Sequence, residues 1–495
     1  MKILLVHPPI RLHSKPLYPP LGLGYIASVL IEEGYDVTLL DINGYRYSPE
    51  QVQQKIRSTS YDIIGIGGII TQYSYTKWLT RIIRQHDPTV KIIVGGGLAS
   101  SAPNILLQKT NADIAVVGEG EVTIKEIVNK LAVNNELADV KGIYYKQNHK
   151  IIANPPRVPI SDLGSLPFPA WHLFPMGIYL KNQGEHIRYL REYSNKLMSK
   201  EIRSMYVSTV RGCPYKCAFC YHPYYGCKVR ARPVDSIIEE IRVLKDKYKV
   251  NFVQFADDLF FLNKKRVYQV CDGLIQADLD INWIAGGRAN LVDEEMLRKA
   301  KVAGCVYVGY GIESGSQRIL DLMHKEITVE HARNAIEITR KVGLGCGPSF
   351  MIGFPGETKE TIEETVKFMS EMGVIRNFFY TTPYPGTPLY EWAKVQGKIK
   401  DDDAYFEHIS KIGDAKTFAI NLTDFSDEEL IHLKKKAETE AMINIRRNLY
   451  HATMHSCKYF GFYQTVKTVI GLIRELGVKN ILKILLIRRC ISRRK

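Results

Sequence analysis

Five short, almost wholly apolar runs punctuate the first 135 residues: KILLVH from Lys2, DVTLLD from Asp36, DIIGIG from Asp62, KIIVGGG from Lys91 and DIAVVG from Asp113. Runs of this length without polar alternation fit strands covered on both faces. The stretches between them, such as Gly22 to Glu33 and Ser74 to Gln85, repeat apolar residues at helical spacing. Five βα units with short loops predict a doubly wound parallel sheet of flavodoxin-like order, whose ligands sit beyond the carboxyl ends of the strands. Those ends are PLYPPLGLGY (Pro16 to Tyr25), GGIITQYS (Gly67 to Ser74), GGGLASS (Gly95 to Ser101) and GEGE (Gly118 to Glu121). Their glycines let a backbone approach a ligand closely, and they serve equally as tight turns. No GxGxxG opens the first helix, which argues against a dinucleotide.

Beyond this first domain, residues 1–140, the segment 141–200 reads as a linker. It holds a small hairpin, GIYYKQNHKIIANPPRVPI, and then the proline-rich LPFPAWHLFP. A second series of strand candidates follows: MYVSTV from Met205, NFVQFAD from Asn251, INWIAGG from Ile281, VYVGYGIE from Val306, GCGPSFMIG from Gly345 and NFFYTTP from Asn377. Amphipathic helices such as Val234 to Lys247 and Val329 to Val342 separate them. Six such repeats predict a partial (β/α)6 barrel over residues 201–400 with chemistry at its carboxyl-terminal mouth, followed by a helical region over 401–495. A chain of 495 residues, 45% hydrophobic and 24% charged, can bury a core in each of these domains.

Directly after the first barrel strand comes RGCPYKCAFCYHP, Arg211 to Pro223. None of the nine cysteines precedes Cys213, and nine over this length are too few for a disulfide framework, so the cluster points to metal or redox chemistry in a reducing compartment. Cys213, Cys217 and Cys220 are one ligand short of a closed tetrahedral site. Cys227 is the nearby thiol that can complete it, which leaves structural zinc as one reading. The other is a [4Fe-4S] cluster on three thiolates with one iron open to a small molecule.

CxxxCxxC with Phe219 before the last cysteine, placed after the first strand of a six-fold barrel, resembles the signature of radical S-adenosylmethionine (SAM) enzymes. The resemblance implies SAM chelated to the open iron and cleaved to a 5′-deoxyadenosyl radical that takes a hydrogen from substrate. The electron calls for a reductant such as flavodoxin or ferredoxin. It further implies SAM-binding roles for Phe219, for Asp258 in FADDLF, for Arg288 after the third strand, for Glu313 and Ser314 in GYGIESGS, and for Gly353 and Pro355 in FMIGFPGET. Each has a plainer reading: the acids as helix caps, the Gly-Pro turn as strand punctuation, Arg288 as a surface ion pair. Their placement at successive strand ends favours a site.

A flavodoxin-like domain ahead of such a barrel, with PPLGLGYIASVL, VGGG and VVGEGE, is similar to the cobalamin-binding subfamily. That likeness implies cobalamin contacts at Pro20, Leu21, Gly22, Thr71, Gly95, Gly96, Gly97, Gly118, Glu119 and Gly120. No DxHxxG is present, the strand from Asp36 ending in DING, so no histidine of that motif ligates cobalt; His7 and His13 read as ordinary strand-end or surface residues. Methylthiotransferases carry extra cysteines in the first domain, and this chain has none there. The resemblance therefore points to methyl transfer to an unactivated carbon of a small molecule or lipid, with cyclisation or oxidation as the alternative outcome. It assigns no catalytic side chain.

The net charge of +15 invites a nucleic-acid reading, but its distribution does not support one. Residues 446–495 hold 12 lysines and arginines against the single acid Glu475, leaving the body close to neutral, so no nucleic acid is expected. Within that tail Val466, Val469, Ile470, Ile473 and Leu476 recur at helical spacing opposite Lys467 and Arg474, and the pattern repeats beyond Gly477. Such a stripe reads as a helix on an anionic membrane surface, or as a helix packed on the barrel with a solvated basic face; it is too interrupted by charge to span. Combined with a zinc site, it would make a membrane-surface adaptor, the non-enzymatic alternative. MKILLVH runs straight into a strand with no cleavable signal, so the expected location is cytoplasmic, with peripheral attachment to the inner face of the membrane.

Overall fold

The computed structural model describes residues 1–194, 201–221, 228–374 and 377–445, and position 447. Strand β1 (Lys2–His7) lies between β2 (Asp36–Asp41) and β3 (Ile63–Gly67), and β4 (Lys91–Gly95) and β5 (Ile114–Val116) extend the sheet in parallel. This is the flavodoxin-like order 2-1-3-4-5. The absence of polar alternation in β1 has its cause here: Leu4 and Val6 enter the core under one helical layer, Ile3 and Leu5 the core under the other.

The hairpin expected in the linker is present as β6 (Ile143–Gln147) and β7 (Lys150–Ala153), but it does not stand free. β6 pairs antiparallel with β5, so the hairpin completes a seven-stranded first sheet. The rest of the 141–200 segment packs on the barrel: the helix Met176–His186 brings Gln183 to a buried hydrogen-bonded group with Gln254 and Ser204.

In the second half, β8 (Ser204–Val207) is followed by β9 (Val210–Arg211) and β10 (Arg230–Ala231), which form a separate antiparallel ribbon. β11 (Phe252–Phe255), β12 (Asn282–Gly287), β13 (Cys305–Glu313), β14 (Gly345–Ile352) and β15 (Phe378–Tyr380) then add to β8 in chain order, giving six parallel strands. Val253, Trp283, Val308, Ile312 and Phe350 point outward into one continuous core with the surrounding helices. Trp283 is fully buried with its indole N–H donating to the Ala303 carbonyl at 2.8 Å. Truncating it to Ala should cost about 3–5 kcal/mol.

The chain past residue 401 serves both halves. Helix Asp402–Ile412 returns to the first domain, where Asp403 accepts from Tyr73 and Lys77. Residues 427–445 are helical and cover the open edge of the barrel, Glu438 accepting the Phe378 N–H at 3.0 Å. No helix among the described residues is long and apolar enough to cross a membrane. The basic amphipathic tail and Cys227 lie outside the described residues.

Candidate active site

The two acids of FADDLF divide their work. Asp257 sits behind the turn from β8 to β9, its Oδ1 accepting the N–H groups of Thr209 (2.5 Å) and Val210 (2.9 Å) and its Oδ2 the Thr209 hydroxyl. Burial pushes its carboxyl up to about 6, the bonds from Thr209 and Val210 opposing the rise. Asp258 accepts the Gly212 N–H at 3.1 Å, one residue before the first cysteine. Gly212 has φ +103°, a backbone conformation that other residues rarely adopt.

From there the cysteine segment runs along the mouth. Cys213 is half-buried, Cys217 buried and Cys220 exposed. The segment is pinned on both sides by its middle residue: the Ala218 N–H donates to Met323 O and its carbonyl accepts from Leu389 N, each at 2.9 Å. Burial raises the Cys213 thiol above its ordinary value, against a hydrogen bond from Tyr215. A nucleophile and a metal ligand both need this thiol ionised, so its burial does not separate the two roles.

Arg288, at the end of β12, closes over this segment. Its guanidinium lies 3.4 Å from the centre of the Tyr215 ring, and Nη1 is 3.8 Å from Cys217 Sγ. Nε donates to Asn290, while Nη2 is buried with no hydrogen-bond partner among the described residues. A buried guanidinium nitrogen without an acceptor leaves a donor here that an anion can use.

Glu313 ends β13 with φ +73°, a left-handed conformation that costs a residue with a Cβ about 1–2 kcal/mol. Its Oε1 accepts from Lys325 Nζ at 3.1 Å, and Lys325 also lies 5.5 Å from the ring centre of Phe219. The neighbouring serine goes elsewhere: Ser314 is fully buried, its hydroxyl 3.0 Å from Thr365 Oγ1 and accepting the Ser316 N–H. Its side chain is thus spent on structure, and only Glu313 of this pair presents a polar group toward the mouth. In the Gly-Pro turn the Gly353 N–H donates to Glu357 at 2.5 Å, so this carboxyl, raised by burial to about 8, shapes the turn carrying Gly353 and Pro355.

Between the two halves lies a cavity of about 430 Å³. Pro20, Leu21, Gly22, Gly95, Gly96, Gly97, Gly118, Glu119 and Gly120 all line it; Thr71 does not. The turn after β3 is a single 3₁₀ turn, Ile70–Gln72, which carries Gln72 to the cavity wall with its amide donating to Pro8 O. A Cβ at Gly22 or Gly118 would meet nothing within 4 Å, leaving room for a ligand to press against the backbone. Glu119 lines the wall, yet its carboxylate is bound to Arg211, Arg230 and the Ile160 N–H. The barrel supplies the opposite wall through Val210, Arg211 and Asp258.

Sequence reading gave no role to Arg211, Tyr215, Lys325 or Glu357. Arg211 had a signal, its place two residues before Cys213, and Glu357 had one in its place within FMIGFPGET, four residues after Gly353; Tyr215 and Lys325 had none, because they meet Arg288 and Glu313 only in the fold.

Comparison with known proteins agrees with this geometry. Residues 207–369 match the radical SAM superfamily and residues 9–128 the B12 binding domain. An uncharacterized methyltransferase of Pyrococcus horikoshii is 34% identical over 400 residues, covering 79% of this chain and 83% of its own. An anaerobic magnesium-protoporphyrin IX monomethyl ester cyclase of Rubrivivax gelatinosus is 28% identical over 417 residues, covering 82% and 72%. The radical SAM methyltransferase TsrM of Kitasatospora setae, solved with cobalamin and a [4Fe-4S] cluster, has the same fold, with a TM-score of 0.69 at 16% identity over 96% of this chain and 98% of that one. The chain belongs to the radical SAM enzymes that carry a cobalamin-binding domain. Its cofactors are accordingly a [4Fe-4S] cluster, SAM and cobalamin, and its chemistry needs a reductant and a substrate.

Proposed function

We propose that this enzyme transfers a methyl group to an unactivated carbon of a small-molecule or lipid substrate. The observation that carries the reading is the shared wall: Arg211 and Asp258 line the cavity offered to cobalamin and also flank the cysteine segment. When bound, the cluster and SAM supply a hydrogen-abstracting radical and cobalamin supplies a methyl carrier. The chain's own part is to hold these groups side by side with water excluded.

In this reading Cys213, Cys217 and Cys220 ligate the cluster. Arg288 binds the SAM carboxylate, Asp258 and Glu313 its polar groups, Phe219 and the turn of Gly353 and Pro355 its adenosine. The glycine-rich edges at Gly22, Gly95 to Gly97 and Gly118 to Gly120, with Pro20 and Leu21, cradle the corrinoid. Ring closure is the second reading, favoured by the cyclase likeness. The composition of the tail supports attachment to an anionic inner membrane face, with the enzyme otherwise cytoplasmic.

Anaerobically reconstituted enzyme given methyl-labelled SAM and an extract from a strain lacking the gene tests the proposal. The expected result is label in a product one methylene heavier than a compound that accumulates in that strain. A product of unchanged carbon count with a new ring would replace methyl transfer by cyclisation.

A further inference from the structure

β9 and β10 form a ribbon whose first strand ends two residues before Cys213. In that ribbon Arg211 stands opposite Arg230. Both arginines reach across to the first domain. Arg211 Nη1 lies 3.0 Å from Glu119 Oε1 and Nη2 2.7 Å from Glu121 Oε1. Arg230 Nη1 is 2.8 Å from each oxygen of Glu119 and donates to Ile160 O at 2.7 Å. The glutamate side chains are only 2% and 6% exposed, and Tyr25 lays its ring 5.1 Å from the Arg211 guanidinium. Burial works against the Arg211 charge, but Glu121 and Glu119 more than offset it and hold the group cationic. Buried charges arranged in this way stay together, because removing one leaves the others costly and unpaired.

Three of these four residues have a second neighbour. Glu119, Glu121 and Arg211 line the cobalamin cavity, while Arg230 stands behind them and does not. We infer that this network couples the two cofactors, with Arg230 as the positioning residue: cobalamin in the cavity fixes the Gly118–Glu121 loop, the loop fixes the ribbon, and the ribbon holds the cysteine segment in its cluster-binding arrangement. By linkage the effect is reciprocal, so a bound cluster tightens cobalamin by the same factor. The inference rests on the binding of both cofactors and not on methyl transfer, so a failure of the methyl-transfer reading leaves it untouched.

The test uses the full chain, reconstituted anaerobically, and measures the rate at which an iron chelator strips the cluster with and without hydroxocobalamin. In the wild type cobalamin should slow the loss roughly 10-fold, the size reached when an affinity coupling of the usual magnitude is expressed wholly in the rate of release. In Arg230→Gln this ratio should fall below about 2 while cobalamin still binds. A purely structural role would speed cluster loss equally in both conditions and leave the ratio alone. Glu121→Gln, which removes one charge without changing shape, should give an intermediate ratio and decides the matter if Arg230→Gln does not fold. An unchanged ratio in the folded variant, or a wild-type ratio of one, overturns the inference.

Discussion

Replacing Arg288 by Met keeps the aliphatic stem and removes the guanidinium that lies on Tyr215 with one buried nitrogen lacking a partner. If that nitrogen binds the SAM carboxylate, the loss is one charge-assisted hydrogen bond, about 1.5–3 kcal/mol. At 1.4 kcal/mol per factor of ten, SAM should then bind roughly 10- to 150-fold more weakly. Cluster content should be unchanged, since no thiolate is removed and the lost contact with Tyr215 amounts to about 0.5–2 kcal/mol. Arg288→Lys restores the charge without the planar fork and should recover part of the affinity. Equilibrium binding of SAM to the anaerobic protein gives the affinity, and the change that SAM produces in the EPR signal of the reduced cluster reports whether it still reaches the iron. Wild-type affinity in Arg288→Met, with the EPR change intact, would refute the assignment of this residue.

Alanine at Cys213, Cys217 or Cys220 should abolish iron-sulfur content and 5′-deoxyadenosine formation, whereas Cys227→Ala should keep both; loss of the cluster in the latter would make Cys227 a ligand. Gly22→Phe should project a ring into the open space beside the helix start and eliminate bound cobalamin, read from the visible spectrum, while leaving the melting temperature within a few degrees. Asp257 has its carboxyl raised from 3.8 to about 6, so the folded state holds a proton that the unfolded chain releases. That contribution is complete below pH 4 and is lost as pH rises through 6, about 3 kcal/mol in all. Asp257→Asn lacks this slope, so its urea midpoint should gain on the wild type between pH 4.5 and 7; a constant gap between the two would dismiss the ionisation.

The inner strands such as β1 and β3 were legible because they are buried on both faces, and an apolar run such as KILLVH admits few other fates. The cavity edges were legible for a related reason, since glycine at a strand end leaves only backbone to meet a ligand. What the sequence could not convey was occupancy. Glu119 in GEGE does line the cavity, but nothing in the sequence shows that its carboxylate is held by Arg211 and Arg230. Ser314 reads as part of the mouth until Thr365 claims its hydroxyl. Thr71 gave way to Gln72 because the chain leaves β3 in a 3₁₀ turn that carries Gln72 to the cavity wall. Which partner or wall a polar group finds is a property of tertiary contact that local pattern does not carry.

The helix Asp402–Ile412 gives the two sheets a second attachment. At one place Glu119 grips the arginine ribbon; at another, Asp403 takes Tyr73 and Lys77 of the first domain, while Tyr405 of the same helix donates to Pro383 O of the barrel. Between these fastenings one apolar core runs from Val6 and Ile66 of the first sheet to Phe354, Leu389 and Phe406 beyond it. Opening of the halves would expose buried surface along that whole join. Such a join favours substrate exchange through side-chain or loop movement at the mouth.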